Sequence, residues 1–154
     1  LFEPRIPQNT GTIGRSCLAF NLSLDIIKPT GFSFEDKYLK RAGLDYWSNV
    51  DVNLYDSFDE YKQIFNSSRI IALTKKSDNN ISNIKYKNTD ILLFGREDLG
   101  LPDKIISKCE IIAGIPMPNG DRQLKTAGVR SLNLSVACGI ASYSACLQLK
   151  LLIN

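Results

Sequence analysis

The chain has 154 residues, of which 44% are hydrophobic and 23% charged, values that fit one globular domain and argue against a disordered or fibrous protein. Its net charge of +3 permits an RNA partner without indicating one. The sequence contains no histidine, which excludes Ser-His and Cys-His nucleophile pairs and any histidine general base.

Four apolar runs rich in β-branched residues predict the strands of a parallel sheet. In chain order they are Leu24–Ile27, Ile70–Thr74, Ile91–Phe94 and Ile111–Ile115. Because helical patterns separate these runs, we predict an α/β fold with a mostly parallel sheet and helices on both faces. One such domain accounts for residues 1–154.

Three helices are predicted in the first half of the chain. The first is capped by Asn9 or Thr10. Its apolar face carries Ile13, Cys17 and Leu18. The second covers Glu35–Ala42 and ends at a glycine. The third begins with a capping box at Ser57–Glu60, in which the serine hydroxyl and the glutamate carboxylate satisfy each other's backbone amides, and runs to about Phe65.

The second half of the chain predicts a surface connection and two further helices. Lys75–Asn88 is rich in Asn and Ser, which indicates a surface connection with at most a short strand. Pro102 suits the first position of a fourth helix that covers Asp103–Lys108. The last helix runs from about Asn133 to Leu152. Small residues on more than one of its faces predict packing on two sides, against the sheet and against a second subunit.

The four cysteines favour neither a metal site nor a disulfide framework. They form no C-x-x-C pair, and no histidine is present to complete a zinc site. Three of them lie in apolar runs, where a reduced cysteine behaves as a small hydrophobic residue. We therefore expect no metal and a reducing, cytoplasmic setting.

No secretory signal or membrane-spanning segment is visible in the sequence. The long uncharged run at 131–149 contains too many Asn, Ser and Gln residues for a lipid-spanning helix. We therefore expect no membrane partner. The chain starts at Leu1 without a methionine, and we expect its first strand to begin upstream of that residue.

Three polar segments that contain glycine, asparagine or serine lie at the carboxyl ends of predicted strands or open a helix. They are Asn9–Arg15, Leu93–Pro102, and Ile115–Met117 with Val129–Ser135. Glycine lets a backbone approach a ligand closely, and Asn and Ser side chains can hydrogen-bond it, so these segments predict a nucleotide-like site. The segment Pro118–Val129 is a candidate lid, because ligands bind at this edge of parallel sheets.

Each segment also has a purely structural interpretation when it is taken alone. Gly11 and Gly14 match neither the dinucleotide fingerprint nor the P-loop, so a turn and helix cap explain them more readily. Arg15 could be a solvated helix residue, and Glu97 could occupy the first turn after a strand. The combination of segments, and not any single one, favours a ligand site.

In this order the segments resemble the three motifs of the SPOUT class of RNA methyltransferases. Glu3–Gly11 and Lys40–Trp47 are similar to the bacterial subfamily that methylates the ribose of the tRNA wobble cytidine or uridine. The resemblance covers Leu1 to about Leu149. It implies a SAM-dependent tRNA 2'-O-methyltransferase that binds SAM in a deep trefoil knot, within about residues 70–152, and works as a homodimer with shared active sites.

Carried over residue by residue, the resemblance implies a set of functional positions. The positions that contact SAM are Leu73, Gly95, Glu97, Gly100, Ile115, Met117, Ser131, Leu132 and Asn133. The catalytic positions are Arg15, Ser131 and Asn133. The positions that bind RNA are Arg15, Lys40, Arg41, Arg130 and Tyr143, with a buried core role as the equal alternative for Tyr143. A guanidinium is always protonated, so we expect Arg15 to fix a phosphate and lower the pKa of the hydroxyl rather than act as a base.

Three alternatives remain compatible with the residues. One is 2'-O-methylation of another tRNA position or of ribosomal RNA. The second is a knotted SAM- or RNA-binding module without turnover, motivated by a 118–129 segment longer than the subfamily leads us to expect and by Val136 in place of a polar residue. The third is a generic nucleotide-binding α/β protein, which is disfavoured because no recognised phosphate loop is present.

Overall fold

The computed structural model describes residues 1–34, 46–117 and 131–152. The predicted helix at 35–42 and the candidate lid at 118–129 lie outside these ranges, as do Lys40, Arg41 and Arg130. The strands are β1 (Leu24–Ile27), β2 (Val52–Tyr55), β3 (Ile70–Leu73), β4 (Ile91–Phe94) and β5 (Ile111–Ala113). The α-helices in the described ranges are α1 (Pro7–Phe20), α2 (Phe58–Ile64), α3 (Asp103–Ile106) and α4 (Leu134–Gln148).

All of these strands pair in parallel, in two groups that the first residues of the chain join. β1 pairs with β2, and β3 lies between β4 and β5. The Leu1 carbonyl accepts a hydrogen bond from Ile27 N at 2.8 Å, and Phe2 N donates to the Phe94 carbonyl at 2.8 Å. The segment therefore bridges β1 and β4 and satisfies backbone groups on both. The predicted α/β architecture with parallel strands is confirmed.

Helices cover both faces of the strands. Neighbouring residues of a strand point to opposite sides, so each strand contributes side chains to both helical layers. Ile27 and Ile70 pack with residues of α2 and α3, including Tyr61. Ile26 packs on the other side with residues of α1 and α4, including Ala141. The predicted runs are mostly apolar because residues on both faces of a strand are buried, as at Ile26 and Ile27 of β1 and Ile70 and Ile71 of β3. Asp25 on β1 and Ile112 on β5, which is 40% exposed, depart from this pattern.

Strand β2 is missing from the predicted strands. Its sequence, Val52–Tyr55, mixes polar and apolar residues, and Leu54 on it is 46% exposed. A half-exposed strand at the edge of a group carries no continuous apolar run. Two other strands end earlier than predicted, β3 at Leu73 and β5 at Ala113.

Helix α1 begins at Pro7, so the predicted cap at Asn9 or Thr10 is wrong. Proline suits the first turn of a helix because its missing N–H would have no partner there. Asn9 and Thr10 instead lie inside the helix and are 8% and 0% exposed. Leu18, predicted on the apolar face, is 39% exposed, whereas the other two residues of that face are buried.

The capping box of α2 is confirmed on its serine side. Ser57 Oγ accepts a hydrogen bond from Glu60 N at 3.1 Å. The Glu60 carboxylate accepts from Asp56 N at 2.8 Å, one residue earlier than the box predicts. The helix ends at Ile64, with Phe65 as its C-cap, as the sequence predicts.

The predicted surface connection at 75–88 is more buried than its composition indicates. It contains a 3-10 helix at Ile81–Asn83. Three of its apolar side chains are buried: Ile81, Ile84 and Tyr86. Ser77 Oγ and Asn79 Nδ2 both donate to the Ile112 carbonyl, at 3.1 and 3.2 Å, so the segment covers the outer edge of β5.

The last two helices are shorter than predicted. Pro102 is the N-cap of α3 rather than its first residue, and the helix ends at Ile106. Helix α4 begins after Asn133, whose side chain accepts from Ser135 N, and ends at Gln148. None of the helices in the described ranges has the length and apolar character needed to cross a membrane.

Candidate active site

A cavity of about 520 Å³ lies at the carboxyl ends of β3, β4 and β5. All nine positions predicted to contact a cofactor line it: Leu73, Gly95, Glu97, Gly100, Ile115, Met117, Ser131, Leu132 and Asn133. Parallel strands end at one edge of a sheet, which is why segments distant in sequence meet there. The volume lies in the usual range for small-molecule sites.

The loop after β4 forms a tightly closed wall of this cavity. A Cβ on Gly95 would lie 2.2 Å from the carbonyl carbon of Gly100, so only glycine fits. Gly100 has φ +70, a left-handed conformation that other residues rarely adopt. Arg96 and Asp98 pair through two hydrogen bonds of 2.9 and 2.7 Å across the loop, and hydrogen bonding to Arg96 lowers the pKa of Asp98 to about 2.

The Glu97 carboxylate caps the start of α1 from this wall. It accepts hydrogen bonds from Arg5 N at 2.8 Å and Ile6 N at 3.2 Å, two amides at the entrance to the helix. Ile6 is the N-cap, and its apolar side chain makes no cap hydrogen bond. A carboxylate at a helix N-terminus is also favoured by the helix dipole. Glu97 therefore supports the fold of the site as well as lining it.

Asn9 connects Glu97 to the start of α4. Its Nδ2 donates to Glu97 Oε1 at 3.2 Å, and its Oδ1 accepts from Asn133 Nδ2 at 3.0 Å. Asn133 Oδ1 in turn accepts from Ser135 N at 2.8 Å. One hydrogen-bonded chain thus joins the three predicted segments. The second N–H of the Asn133 amide has no bond within the described residues and can face a ligand.

Sequence reasoning missed several residues that line the cavity. Asn9 lines the cavity, whereas the sequence predicted it only as a helix cap and as the first residue of the Asn9–Arg15 segment. Lys75 and Lys76 also line the cavity, and Lys76 pairs with Asp103 at 2.9 Å. The position of these two lysines in the sequence could have revealed them. Both follow β3 within three residues, at the edge where parallel sheets bind ligands.

Arg15 does not line the cavity of its own chain. It follows Asn9 by six residues, which places it about 9 Å further along α1 and roughly a third of a turn from the Asn9 direction. Its side chain is exposed, and the guanidinium carbon lies 5.5 Å from the centre of the Tyr46 ring. The structure therefore separates Arg15 from Ser131 and Asn133, the two other predicted catalytic residues.

Tyr143 lies on the surface of α4. It is 50% exposed, and its ring centre is 6.4 Å from that of Phe20 on α1. The alternative of a buried core residue is therefore wrong. An exposed phenol beside a second aromatic ring remains available for a macromolecular contact.

The cysteines are free thiols. Cys17, Cys138 and Cys146 are buried. Burial raises the pKa of Cys17 and of Cys109 to about 11, so both are protonated at neutral pH. Within residues 1–34, 46–117 and 131–152, no group of three or more Cys, Asp or Glu side chains could hold a metal ion.

Known proteins match this sequence and this fold. A tRNA (cytidine(34)-2'-O)-methyltransferase from Escherichia coli is 38% identical over 149 residues, which cover 97% of this chain and 91% of the relative. A solved structure concerned with the 2-OH methylation of C/U34 on tRNA superposes with a TM-score of 0.87 at 38% identity, and covers 97% of this chain and 93% of that one. An AdoMet-bound rRNA methyltransferase from Sinorhizobium meliloti shares the fold, with a TM-score of 0.82 at 23% identity over 96% of this chain and 54% of that one.

The extent of these matches shows which family the chain belongs to. The SpoU rRNA Methylase family matches residues 1–143, which is most of the chain, and includes the three segments around the cavity. The relationship predicted from the motifs is thereby confirmed. This chain belongs to the SpoU rRNA Methylase family.

Proposed function

We propose that the protein transfers a methyl group from SAM to the ribose 2'-oxygen of the wobble cytidine or uridine of tRNA. The observation that carries this proposal is the convergence of nine positions from separate segments on one cavity. A relative named for the same reaction on cytidine 34 is 38% identical over almost the whole chain. Both the site and the family therefore favour the same activity.

The lining of the cavity suits SAM. Four apolar side chains can pack on an adenine ring: Leu73, Ile115, Met117 and Leu132. Ser131 and Asn133 add a hydroxyl and an amide for the polar parts of the ligand. When bound, SAM supplies an electrophilic methyl group on a sulfonium.

Residues of this chain would align the ribose oxygen and stabilise its developing negative charge, the two requirements of methyl transfer. Asn133 is held by its bonds to Asn9 and Ser135, and its remaining N–H orients the ribose. Ser131 is exposed at the rim of the cavity, and its hydroxyl contacts the same ribose. Arg15 fixes the neighbouring phosphate and lowers the pKa of the hydroxyl, whose proton passes to that phosphate or to water.

The active protein is proposed to be a homodimer. Three exposed apolar side chains lie 4 and 7 residues apart on one face of α4: Val136, Ile140 and Leu147. A continuous exposed apolar face is typical of a protein interface. Because Arg15 does not line the cavity of its own chain, each cavity would be completed by Arg15 of the partner subunit.

We also propose how the chain is organised and threaded, which residues bind RNA and where the protein works. Residues 1–154 form one domain, and the last helix is threaded into a trefoil knot within about residues 70–152. Family membership supports the knot, as does the return of α4 to pack on α1 and β4. Lys40, Arg41, Arg130 and Tyr143 bind the RNA, in part through its phosphates, and the protein works in the cytoplasm. A crystal structure that traces residues 114–134 tests the knot directly.

Methyl transfer can be tested with labelled SAM and unfractionated tRNA, followed by mapping of the labelled nucleotide. We expect the label on a wobble ribose. In a matched reaction, Arg15→Ala should lower turnover by about 100-fold or more while SAM affinity changes less than about twofold, because Arg15 acts on the substrate. Label on a base, or no label despite SAM binding, contradicts the proposal. Label that appears only in a parallel reaction with ribosomal RNA would move the activity to that substrate.

A further inference from the structure

Two consecutive aromatic residues, Tyr46 and Trp47, pack against two consecutive residues of α1, Gly14 and Arg15. We infer that Tyr46 is a positioning residue, which holds the Arg15 guanidinium in the orientation that methyl transfer requires. The inference rests on the proposed function, because it presumes that Arg15 contacts the RNA substrate.

Trp47 fixes the aromatic pair to the helix. A Cβ on Gly14 would lie 2.6 Å from Trp47 Cζ3 and 3.2 Å from its Cε3, so the indole occupies the space that a side chain would fill. Trp47 also packs against the buried cluster that contains Ile13 and Cys17 of the same helix. This contact sets where the neighbouring Tyr46 ring stands relative to α1.

The Tyr46 ring lies beside the Arg15 guanidinium. The guanidinium carbon is 5.5 Å from the ring centre, within the distance of a cation–π contact. Within the described residues, no carboxylate lies within ion-pair distance of Arg15, and the side chain is exposed. Among the described residues, the ring restricts this long and exposed cation.

A ring on one face of a guanidinium leaves the N–H groups at its edge open. Those edge groups make the paired hydrogen bonds by which arginine binds phosphate. Orientation on a ring lowers the entropy lost when the phosphate binds, so substrate affinity and transfer rate both benefit. The cofactor cavity does not include Tyr46, and SAM binding should not depend on it.

The test compares Tyr46→Leu, which removes the ring, with Tyr46→Phe, which keeps it and removes only the hydroxyl. We expect Tyr46→Leu to slow single-turnover methylation of tRNA roughly three- to tenfold and to weaken tRNA affinity about two- to fivefold. SAM affinity and the thermal midpoint should match the wild type. Tyr46→Phe should restore the rate to within about twofold of the wild type.

A double-mutant cycle on tRNA affinity then assigns the effect to Arg15. In an Arg15→Ala background, Tyr46→Leu should cause no further loss of affinity, because the group that it positions is gone. An equal loss in both backgrounds overturns the inference, since the ring would then act on the RNA or on the fold. A Phe variant as impaired as the Leu variant, or a Leu variant with unchanged rate, overturns it as well.

The two proposals fail separately in this design. If the wild-type protein labels a wobble ribose and Tyr46→Leu is equally fast, only the role of Tyr46 is refuted. If the wild-type protein binds SAM and labels no RNA, the proposed function is refuted, whatever the result with the Tyr46 variants.

Discussion

The Glu97 carboxylate shows at the scale of one residue how the site and the fold depend on each other. It accepts three hydrogen bonds, from Arg5 N, Ile6 N and Asn9 Nδ2, and it is only partly exposed. All three partners donate, so a negatively charged acceptor suits the position. The residue that lines the cavity is therefore also the cap of α1.

Glu97→Gln should lower the free energy of unfolding by about 1–3 kcal/mol, because its NH₂ group would face a backbone N–H that needs an acceptor. Urea unfolding without SAM measures the change. Asp78→Asn, at an exposed position, removes the same charge as a control and should change stability by less than about 0.5 kcal/mol. Equal effects of the two substitutions would show that charge alone matters and would refute this role for Glu97.

Helix α2 is the clearest case of an element specified locally. It has seven residues, buries Phe58 and Tyr61, and begins at a serine whose hydroxyl accepts from Glu60 N. A helix this short is marginal without its cap and its packing. Its boundaries were predictable because a capping box acts between residues that are three positions apart.

Ser57→Ala should lower the free energy of unfolding by about 1 kcal/mol, because Glu60 N loses its partner. The thermal or urea midpoint measures this change. Ser57→Thr retains a hydroxyl and should remain close to the wild type. If alanine and threonine behaved alike, the hydrogen bond from Glu60 N would not stabilise the helix.

Elements whose stability comes from distant contacts were harder to predict. The apolar runs that form β3 and β4 follow from burial of residues on both faces, and the sequence shows them directly. Strand β2 is partly exposed along its length, so its alternating residues give a weak signal. The predicted start of α1 was wrong because the N-cap is Ile6, whose backbone N–H donates to Glu97, 91 residues away, and such a distant contact leaves no local signal.

At the scale of the whole molecule, the exposed face of α4 predicts a dimer. The protein should sediment at micromolar concentration with twice the 17.2 kDa mass of one chain. Leu147→Lys places a charge on that face, where the side chain is 56% exposed, and should shift the protein toward monomer with loss of turnover.

Leu54→Lys provides the matched control, because Leu54 is 46% exposed on β2 and lies away from α4. It should leave both mass and turnover unchanged. A wild-type monomer with full activity would rule out active sites shared between subunits.

The buried thiols predict that the whole molecule loses stability in alkali. Burial raises the pKa of Cys17 and Cys109 to about 11 from 9.0, so between these values the unfolded chain releases protons that the folded chain keeps. Stability is then complete below about pH 9 and falls as the pH rises toward 11. Urea midpoints at pH 7.5, 9 and 10.5 should decrease in that order, and Cys17→Ala should make the decrease smaller. A midpoint that stays constant would contradict the assignment.

By itself, the sequence determined the apolar runs that become strands, the cap of α2 and the motifs that identify the family. These signals are local, because periodicity and capping act between neighbours in the chain. Only the tertiary structure decided how the segments meet. Asn9 bonds to Glu97 across 88 residues and to Asn133 across 124, and such pairings depend on the order of strands in the sheet. Arg15 lies beside Tyr46 and does not line the cavity of its own chain, because helix geometry leaves it on a different side of α1 from Asn9.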